Sequence, residues 1–397
     1  MSKHFIITII TLLLIVIGAG IAVLITKGYT FSPKEGRIVG TGILSVASVP
    51  DGASVYIDGH LTTATNTTIS SLSPKSYNVK IVKEGYIPWG RQVNISEGLV
   101  AEVKATLFPA LPTTFPLTFN GAANPILSPD GQKLAFTVPF NPDVKLRQKG
   151  GVWVWTMTSA PISFTRGAQP HQLVASTASL DFSKANLSWS PDSKQILVSL
   201  QEGGVPGEVN ARNYLVGFEE SLDVPSLRDI TPTITATLKG WEDDRKTENQ
   251  ARVLAIKDLE VQKIASGSGV TWSPDETKFI VKVGESAKVY NLSSPAKSIT
   301  KQVTPSGGVG TLTGNKQYAL PKALAYFWLP DSRHVILVND EKISIAEFDG
   351  TNEAVIYAGK FQDNFVFAWP DSSKLVILTS FSTPTASTPN LFGINLK

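Results

Sequence analysis

Residues 187–200 read LSWSPDSKQILVSL, and four other stretches share their plan. They are ILSPDGQKLAFTV at 126–138, VTWSPDETKFIVKV at 270–283, FWLPDSRHVILVN at 327–339 and FAWPDSSKLVILTS at 367–380. Each joins one apolar strand to another through a short turn. The proline presets φ, the aspartate accepts from the N–H groups that follow, and the next residue takes the awkward backbone angle. The reading is a hairpin repeated five times.

The turn residues are Pro129 and Asp130, Pro191 and Asp192, Pro274 and Asp275, Pro330 and Asp331, and Pro370 and Asp371. Five aspartates in register invite a reading as a ring of carboxylates. Their shared turn position explains them better, as structural caps. Trp189, Trp272 and Trp369 lie two or one residues before their prolines, with Trp328 similarly placed. Such recurrence predicts a core layer shared between repeats.

The prolines are 62, 83, 56 and 40 residues apart. A four-stranded propeller blade takes about 40–45 residues, so the last spacing is nearly bare and the others carry insertions. In the widest gap, residues 226–256 hold Leu227, Ile230, Leu238, Trp241 and the charged run Glu242-Asp243-Asp244-Arg245-Lys246. They predict a helical insertion, with a degenerate extra blade as the alternative. Its charged run reads as a solvated helix face or as a partner site, the first being commoner.

These repeats resemble the TolB-type, or WD-repeat-like, β-propeller, whose motif is W-S-P-D-G followed by K-x-(L/I)-(A/V)-(F/V). The fourth and fifth copies lack the serine. The resemblance covers residues 115–397 and implies five blades, with six as the alternative. After the last motif only two strands remain, at 375–379 and 391–396. The missing outer strand is expected from 115–119, so that both ends of the domain close the ring and leave no open sheet edge.

Upstream, residues 42–108 read as a small β-domain. Ser48-Val49-Pro50-Asp51-Gly52-Ala53 and Val55-Tyr56-Ile57-Asp58-Gly59 place tight turns between short β-rich runs. Residues 77–83 alternate polar and apolar, as a strand with one wet face does, and Glu84-Gly85-Tyr86 follows. This order of motifs resembles the PEGA domain, departing from it at Thr63-Ala64-Thr65-Asn66. The resemblance implies a small β-sandwich common at bacterial and archaeal surfaces, with no known catalysis. Tyr86 and Trp89 read as packing over the sheet edge, ahead of a carbohydrate-stacking platform. Residues 28–41 read as a polar spacer and 109–114 as a linker.

Residues 5–25 read FIITIITLLLIVIGAGIAVLI, 21 residues without a charge. At 1.5 Å per residue that length suits a hydrocarbon core of ~30 Å. The stretch exceeds the apolar region of a cleaved signal peptide, and no clean A-x-A site follows it. Residues 1–27 are therefore expected to be a single transmembrane signal anchor. Lys3 lies before it, and Lys27, Lys34 and Arg37 after it. Those charges slightly favour the opposite orientation. A large C-terminal domain translocates largely regardless of such charges, so its N-terminus is expected inside.

The fold class expected is thus all-β with one N-terminal transmembrane helix: a PEGA-like sandwich, then a propeller with a helical insertion. A net charge of +3 without a basic stripe argues against nucleic acid. There is no cysteine, and the four histidines His4, His60, His171 and His334 have no metal-ligand spacing. No GxSxG elbow, HExxH, Walker A or EF-hand loop occurs; Gly267-Ser268-Gly269 and Gly307-Gly308-Val309-Gly310 read as loops. No catalytic, cofactor or metal residue is assigned.

The function expected is an anchored, extracytoplasmic, non-enzymatic binding or scaffold protein of the bacterial envelope, with a protein, peptide or glycan partner. The alternative is an envelope lyase or glycosidase with its site in the propeller channel. It would need His171 or His334 beside a carboxylate in that channel. A sensor with a cytoplasmic output domain is not expected, since four residues precede the apolar stretch.

Overall fold

The computed structural model describes residues 3–26, 29–32, 36–140, 150–157, 170–177, 180–202, 210–217, 227–293, 302–303, 309–310, 316–362, 364–380 and 388–397. The chain divides into two units, residues 1–111 with Lys397, and residues 112–396.

The first unit begins with helix α1, Lys3–Thr26. Its side chains are described at residues 9–20 and 22, and they are exposed. Among the described residues no helix is long and apolar enough to cross a membrane. The expected transmembrane span is therefore present as a helix, but the described residues do not show it as a span. The stretch read as a spacer contains a hairpin, with Tyr29–Ser32 paired to Arg37–Gly40.

Residues 42–106 form two β-sheets. In one, Gly42–Val49 lies between Thr67–Leu72 and Val100–Thr106, the latter running parallel to it. The other orders His60–Ala64, Ser54–Ile57, Ser76–Val82 and Trp89–Asn94 as antiparallel neighbours. Alternation decides the faces: Leu44 and Val46 from one sheet, and Tyr77, Val79 and Ile81 from the other, enter a common core. Where the motif departs from the family pattern, Thr65 is buried. Its hydroxyl accepts from Ala53 N–H at 2.9 Å and bonds Ser48 Oγ at 2.7 Å. That contact ties the atypical loop to the first turn motif.

Among the described residues, the second unit contains five four-stranded antiparallel sheets, numbered here as blades. Blade 1 consists of Ala123–Leu127, Lys133–Val138, Gly151–Thr156 and His171–Ala175. Blade 2 consists of Asn186–Trp189, Gln195–Glu202, Asn210–Gly217 and Arg228–Asp229. Blade 3 takes Val270–Trp272, Lys278–Val283, Ser286–Asn291 and Lys316–Ala319. Blade 4 takes Ala325–Trp328, His334–Asn339, Lys342–Glu347 and Ala354–Ala358. Blade 5 joins Val366–Ala368, Lys374–Thr379 and Asn390–Asn395 to Thr114–Pro116 from the start of the unit. The closing strand is thus shorter than the expected 115–119, and it pairs Phe115 with Gly393.

Successive residues of these strands face opposite ways, and both faces are covered. Ile196 and Val198 of blade 2 pack on Val152 and Val154 of blade 1. Phe136 and Trp155 of blade 1 pack on Trp369 and Val376 of blade 5. Ile280 and Val289 of blade 3 pack on Val335 and Leu337 of blade 4. The remaining faces of blades 4 and 5, with Ile336, Ile345, Leu375 and Ile377, are equally buried.

Between blades 2 and 3 the ring changes character. Helix α2, Ile234–Leu254, and helix α3, Leu259–Ala265, intervene. Trp241 of α2 packs on Leu197 and Leu215, the face of blade 2 turned away from blade 1. Val253 of α2, with Val261 and Ala265 of α3, covers Phe279 and Tyr290 of blade 3. The helical reading of the insertion holds, but its bounds move. Pro232 opens the helical segment in a 3-10 turn, Thr231–Thr233, and Arg228–Asp229 before it belong to blade 2.

In blade 5 the closing strand lays the Phe115 ring over residue 393. A Cβ there would meet the Phe115 ring at 2.5 Å. Gly393→Val is expected to destabilise the propeller by about 1–3 kcal/mol, the usual range for overpacking. Calorimetry would show its transition lowered with that of residues 1–111 unmoved. An unchanged propeller transition would mean the closing strand is not needed for stability.

Candidate functional site

All ten sequence-predicted turn residues sit in the first hairpin of their blades. In each turn the residue after the aspartate has positive φ, at Gly131, Ser193, Glu276, Ser332 and Ser372, between +55° and +69°. The aspartate side chain holds that bend by accepting a backbone N–H two residues on: Gln132 at 2.9 Å, Lys194 at 3.1 Å, Thr277 at 3.0 Å, Arg333 at 2.9 Å and Ser373 at 2.8 Å. Where the motif carries serine, its hydroxyl donates to the same aspartate, as Ser190 and Ser273 do at 2.6 Å. That hydroxyl also accepts an N–H from the next strand, from Gln195 at 2.9 Å and Lys278 at 3.0 Å.

The turns also join one blade to the next. Asp130 N–H donates to Ser193 Oγ of blade 2 at 3.0 Å. Lys133 Nζ lies 3.2 Å from Asp130 Oδ2 and 3.2 Å from the Ser193 carbonyl. At the next like junction, Asp275 N–H donates to Ser332 Oγ of blade 4 at 3.0 Å. Lys278 Nζ sits 3.5 Å from Asp275 Oδ2. An ammonium three residues after the aspartate is therefore part of the junction.

Tryptophan makes a second link. Trp189 Nε1 donates to the Ile126 carbonyl of blade 1, and Trp328 Nε1 to the Thr271 carbonyl of blade 3. Trp272 has no blade before it, and its Nε1 donates to Asn249 Oδ1 of α2 at 3.1 Å. Trp369 departs from the shared layer expected of it. It lies one residue later in its motif, so it faces forward and meets Trp155 of blade 1 edge-on at 5.2 Å.

Blade 2 is also irregular at its turn. The residue three after Asp192 is Gln195, and the neighbour ahead is α2. A cavity of about 380 Å³ opens there, lined by Ser190, Pro191, Asp192 and Gln195 and by Trp241, Asp244 and Glu248 of α2. Spacings of three and four residues put those last three on one helical face. Glu248 pairs with Arg252 at 2.6 Å, and Arg252 also reaches Glu276 of blade 3 at 2.7 Å. Sequence reasoning missed this cavity. Its one signal was glutamine in the second copy, at the place held by lysine in the first, third and fifth.

The other candidates are accounted for by packing. Trp89 lies in the core of the small domain with Tyr86 against it, as the packing reading had it. His334 is 2% exposed, with Nδ1 2.6 Å from Asp331 Oδ2. It takes the lysine's place in the fourth turn, too enclosed to meet a substrate. His171 lies on the outermost strand of blade 1, away from the inner strands that line a propeller channel, and desolvation lowers its pKa. Within the charged run on α2, Lys246 pairs with Glu242 at 2.7 Å on the exposed side, while Asp244 lines the cavity. Among the described residues, no group of three or more His, Cys, Asp or Glu is placed to hold a metal. Of the glycine loops, residues 307–308 lie outside the described residues, and Val309–Gly310 form a short strand.

Residues 41–110 match the model of the PEGA domain family. No curated protein matches the sequence. Among solved structures, the chain is similar to a putative TolB from Agrobacterium tumefaciens at 13% identity and TM-score 0.24, over 67% of this chain and 76% of that one. It is similar to TolB from Acinetobacter baumannii at 12% identity and TM-score 0.23, over 81% of this chain and 60% of that one. A chain of the mitotic checkpoint complex is similar at 11% identity and TM-score 0.29, over 73% and 93%. Scores this low carry no weight for the fold, which rests on the strand pairing itself.

The turns predict an acid limb to stability. Burial raises the Asp130 and Asp275 carboxyls, but hydrogen bonds from serine and backbone N–H, with the positive charge of the nearby lysine, outweigh it and leave both below the usual range. For Asp192 the Ser190 hydroxyl is the largest cause, and it too is lowered. For Asp331, burial is outweighed by His334 and two backbone N–H groups. A depressed carboxyl stabilises the fold above its unfolded pKa, and that contribution is lost as pH falls through the folded value. The propeller melting temperature should therefore hold steady above about pH 5 and fall below about pH 4. Asp275→Asn should lower it at pH 7 and shallow the acid limb. An acid limb unchanged in the variant would remove the turns as its source.

Proposed function

We propose that this chain, with residues 41–110 as a PEGA domain, is a membrane-anchored binding or scaffold protein of a bacterial envelope. In this reading α1 is the anchor and the PEGA domain the spacer next to it. The propeller is held outside the membrane, where it presents its loops to a protein, peptide or glycan. No catalytic step is part of the proposal.

The observation that carries it is the state of α1. Ile9, Ile10, Leu12, Leu13, Leu14, Ile15, Val16 and Ile17 are each between 46% and 63% exposed. Nine consecutive positions pass twice around a helix, so no side of this stretch is turned into a core. A helix apolar all round is stable when buried in protein or in lipid. No protein core covers these residues, and the run from 5 to 25 is uncharged. Lipid supplies the missing surroundings. The PEGA-domain match supports the extracytoplasmic side, because such domains are common at cell surfaces.

Protease added to intact cells should remove the propeller from an antibody blot, with lysis needed only to expose the N-terminus. Protection of the propeller until lysis would overturn the outward placement. Leu13→Arg with Val16→Arg should move the protein from the membrane fraction to the soluble one, at about 2.5–3.5 kcal/mol for each arginine near a span's centre. Retention of that variant in carbonate-washed membranes would overturn α1 as the anchor.

A further inference from the structure

Repetition gives this molecule internal controls, and the second turn breaks the pattern in two ways at once. Two of the other turns show what completes a junction. In blade 1, Asp130 Oδ2 meets an ammonium that bridges to the next blade. In blade 3, Asp275 meets Lys278, whose ammonium also lies 5.3 Å from the centre of the Phe348 ring. The components are a carboxylate, a lysine and, in blade 3, an aromatic face.

In blade 2 the lysine is replaced by Gln195 and the following blade by α2, and a cavity opens between them. Among the described residues neither Asp192 nor Asp244 has an ion-pair partner within 4 Å. The carboxylate and the aromatic group remain, as Asp192 and Trp241, and α2 adds Asp244 and Glu248. No basic residue is among the cavity's lining. Lys194 acts on Asp192 from outside those walls. Arg245 bonds its own helix at the Trp241 carbonyl, and Arg252 is held by Glu248 and Glu276.

We infer that this cavity receives a lysine side chain from a partner protein, restoring between two chains the contact that blades 1 and 3 make within one. The ammonium would donate charge-assisted hydrogen bonds to Asp192 and Asp244, while Trp241 flanks the aliphatic stem. A divalent metal suits the place less well, because these carboxylates do not converge into a metal-holding group. The inference deepens the binding role proposed above and rests on it.

The test uses the full chain in nanodiscs of neutral phosphatidylcholine, with a fluorescein-labelled Gly/Ser peptide carrying three spaced lysines. A second peptide has norleucine at those positions, keeping the stem without the charge. Anisotropy should show binding of the lysine peptide, weakened by salt, and none of the norleucine peptide. Gln195→Lys fills the cavity from within, as in blades 1 and 3. It should weaken the lysine peptide at least about tenfold, or 1.4 kcal/mol, with the melting temperature maintained or raised. Asp244→Asn, on the exposed helix face, should weaken it in the same direction.

Equal binding to wild type and Gln195→Lys, equal binding of both peptides, or no binding would each overturn the inference. So would n-butylamine competing as well as the peptide, since the site would then take a free amine. The nanodisc assay does not depend on which side the propeller faces. An inward-facing propeller that binds lysine would sink the envelope reading alone, and an outward one that ignores lysine would sink the cavity alone.

Discussion

Ile196 and Leu197 are neighbours on one strand and point to opposite faces of their sheet, yet both are buried. The same holds for Val335 and Ile336, and for Val376 and Ile377. A sheet apolar on both sides needs a neighbour on both sides, and any gap would expose apolar area at about 25 cal/mol per Å². A row of such sheets has two uncovered ends unless it closes. Closure here rests on Thr114–Pro116 completing blade 5. The two ends of the unit thereby share one sheet.

That constraint also explains the helices. Five blades leave one place between blade 2 and blade 3, and α2 and α3 fill it with side chains that serve both faces. The substitution extends to hydrogen bonding. Where Trp189 and Trp328 find a backbone carbonyl of the preceding blade, Trp272 finds the side-chain carbonyl of Asn249. Glu276, at the position serine holds in three other turns, reaches across to Arg252. A partly buried indole N–H is best satisfied by an acceptor, and the helix provides one for Trp272. α2 thus replaces a blade in its bonding as well as in its packing.

Much of this was legible because turns are local. Proline, aspartate and a following residue with positive φ are specified within four residues, and all five turns form. The closing strand was legible as a deficit, since too few residues followed the last turn to complete a blade. Other features depend on what lies across a junction, which no short stretch of sequence encodes. The shift of Trp369 by one residue looks minor as text, yet with a two-residue period it turns the ring toward a different blade. His334 resembled a catalytic candidate until its place as the fourth turn's lysine substitute was visible. The helical insertion was found by its composition, but its bounds were not, because Arg228–Asp229 joins blade 2 by pairing with a strand earlier in the chain.

The cavity belongs to the same class, and its origin says why a binding site should be sought there. Where one blade follows another, the turn's polar groups are used up at the junction: Asp130 by Lys133 of its own blade and Ser193 of the next, Asp275 by Lys278 of its own blade and Ser332 of the next. Such junctions hold the ring together and have little left for a ligand. A partner needs a place where the repeat leaves charge and volume unused. The helical substitution covers the apolar faces of blades 2 and 3 but does not reproduce the turn-to-turn contacts, because a helix has no Ser-Pro-Asp turn to offer. Asp192 therefore keeps a carboxylate shaped by the same serine and backbone bonds as its counterparts, with open space where their lysine lies. Burying the sheets and creating a recognition site are two results of the same interruption of the repeat.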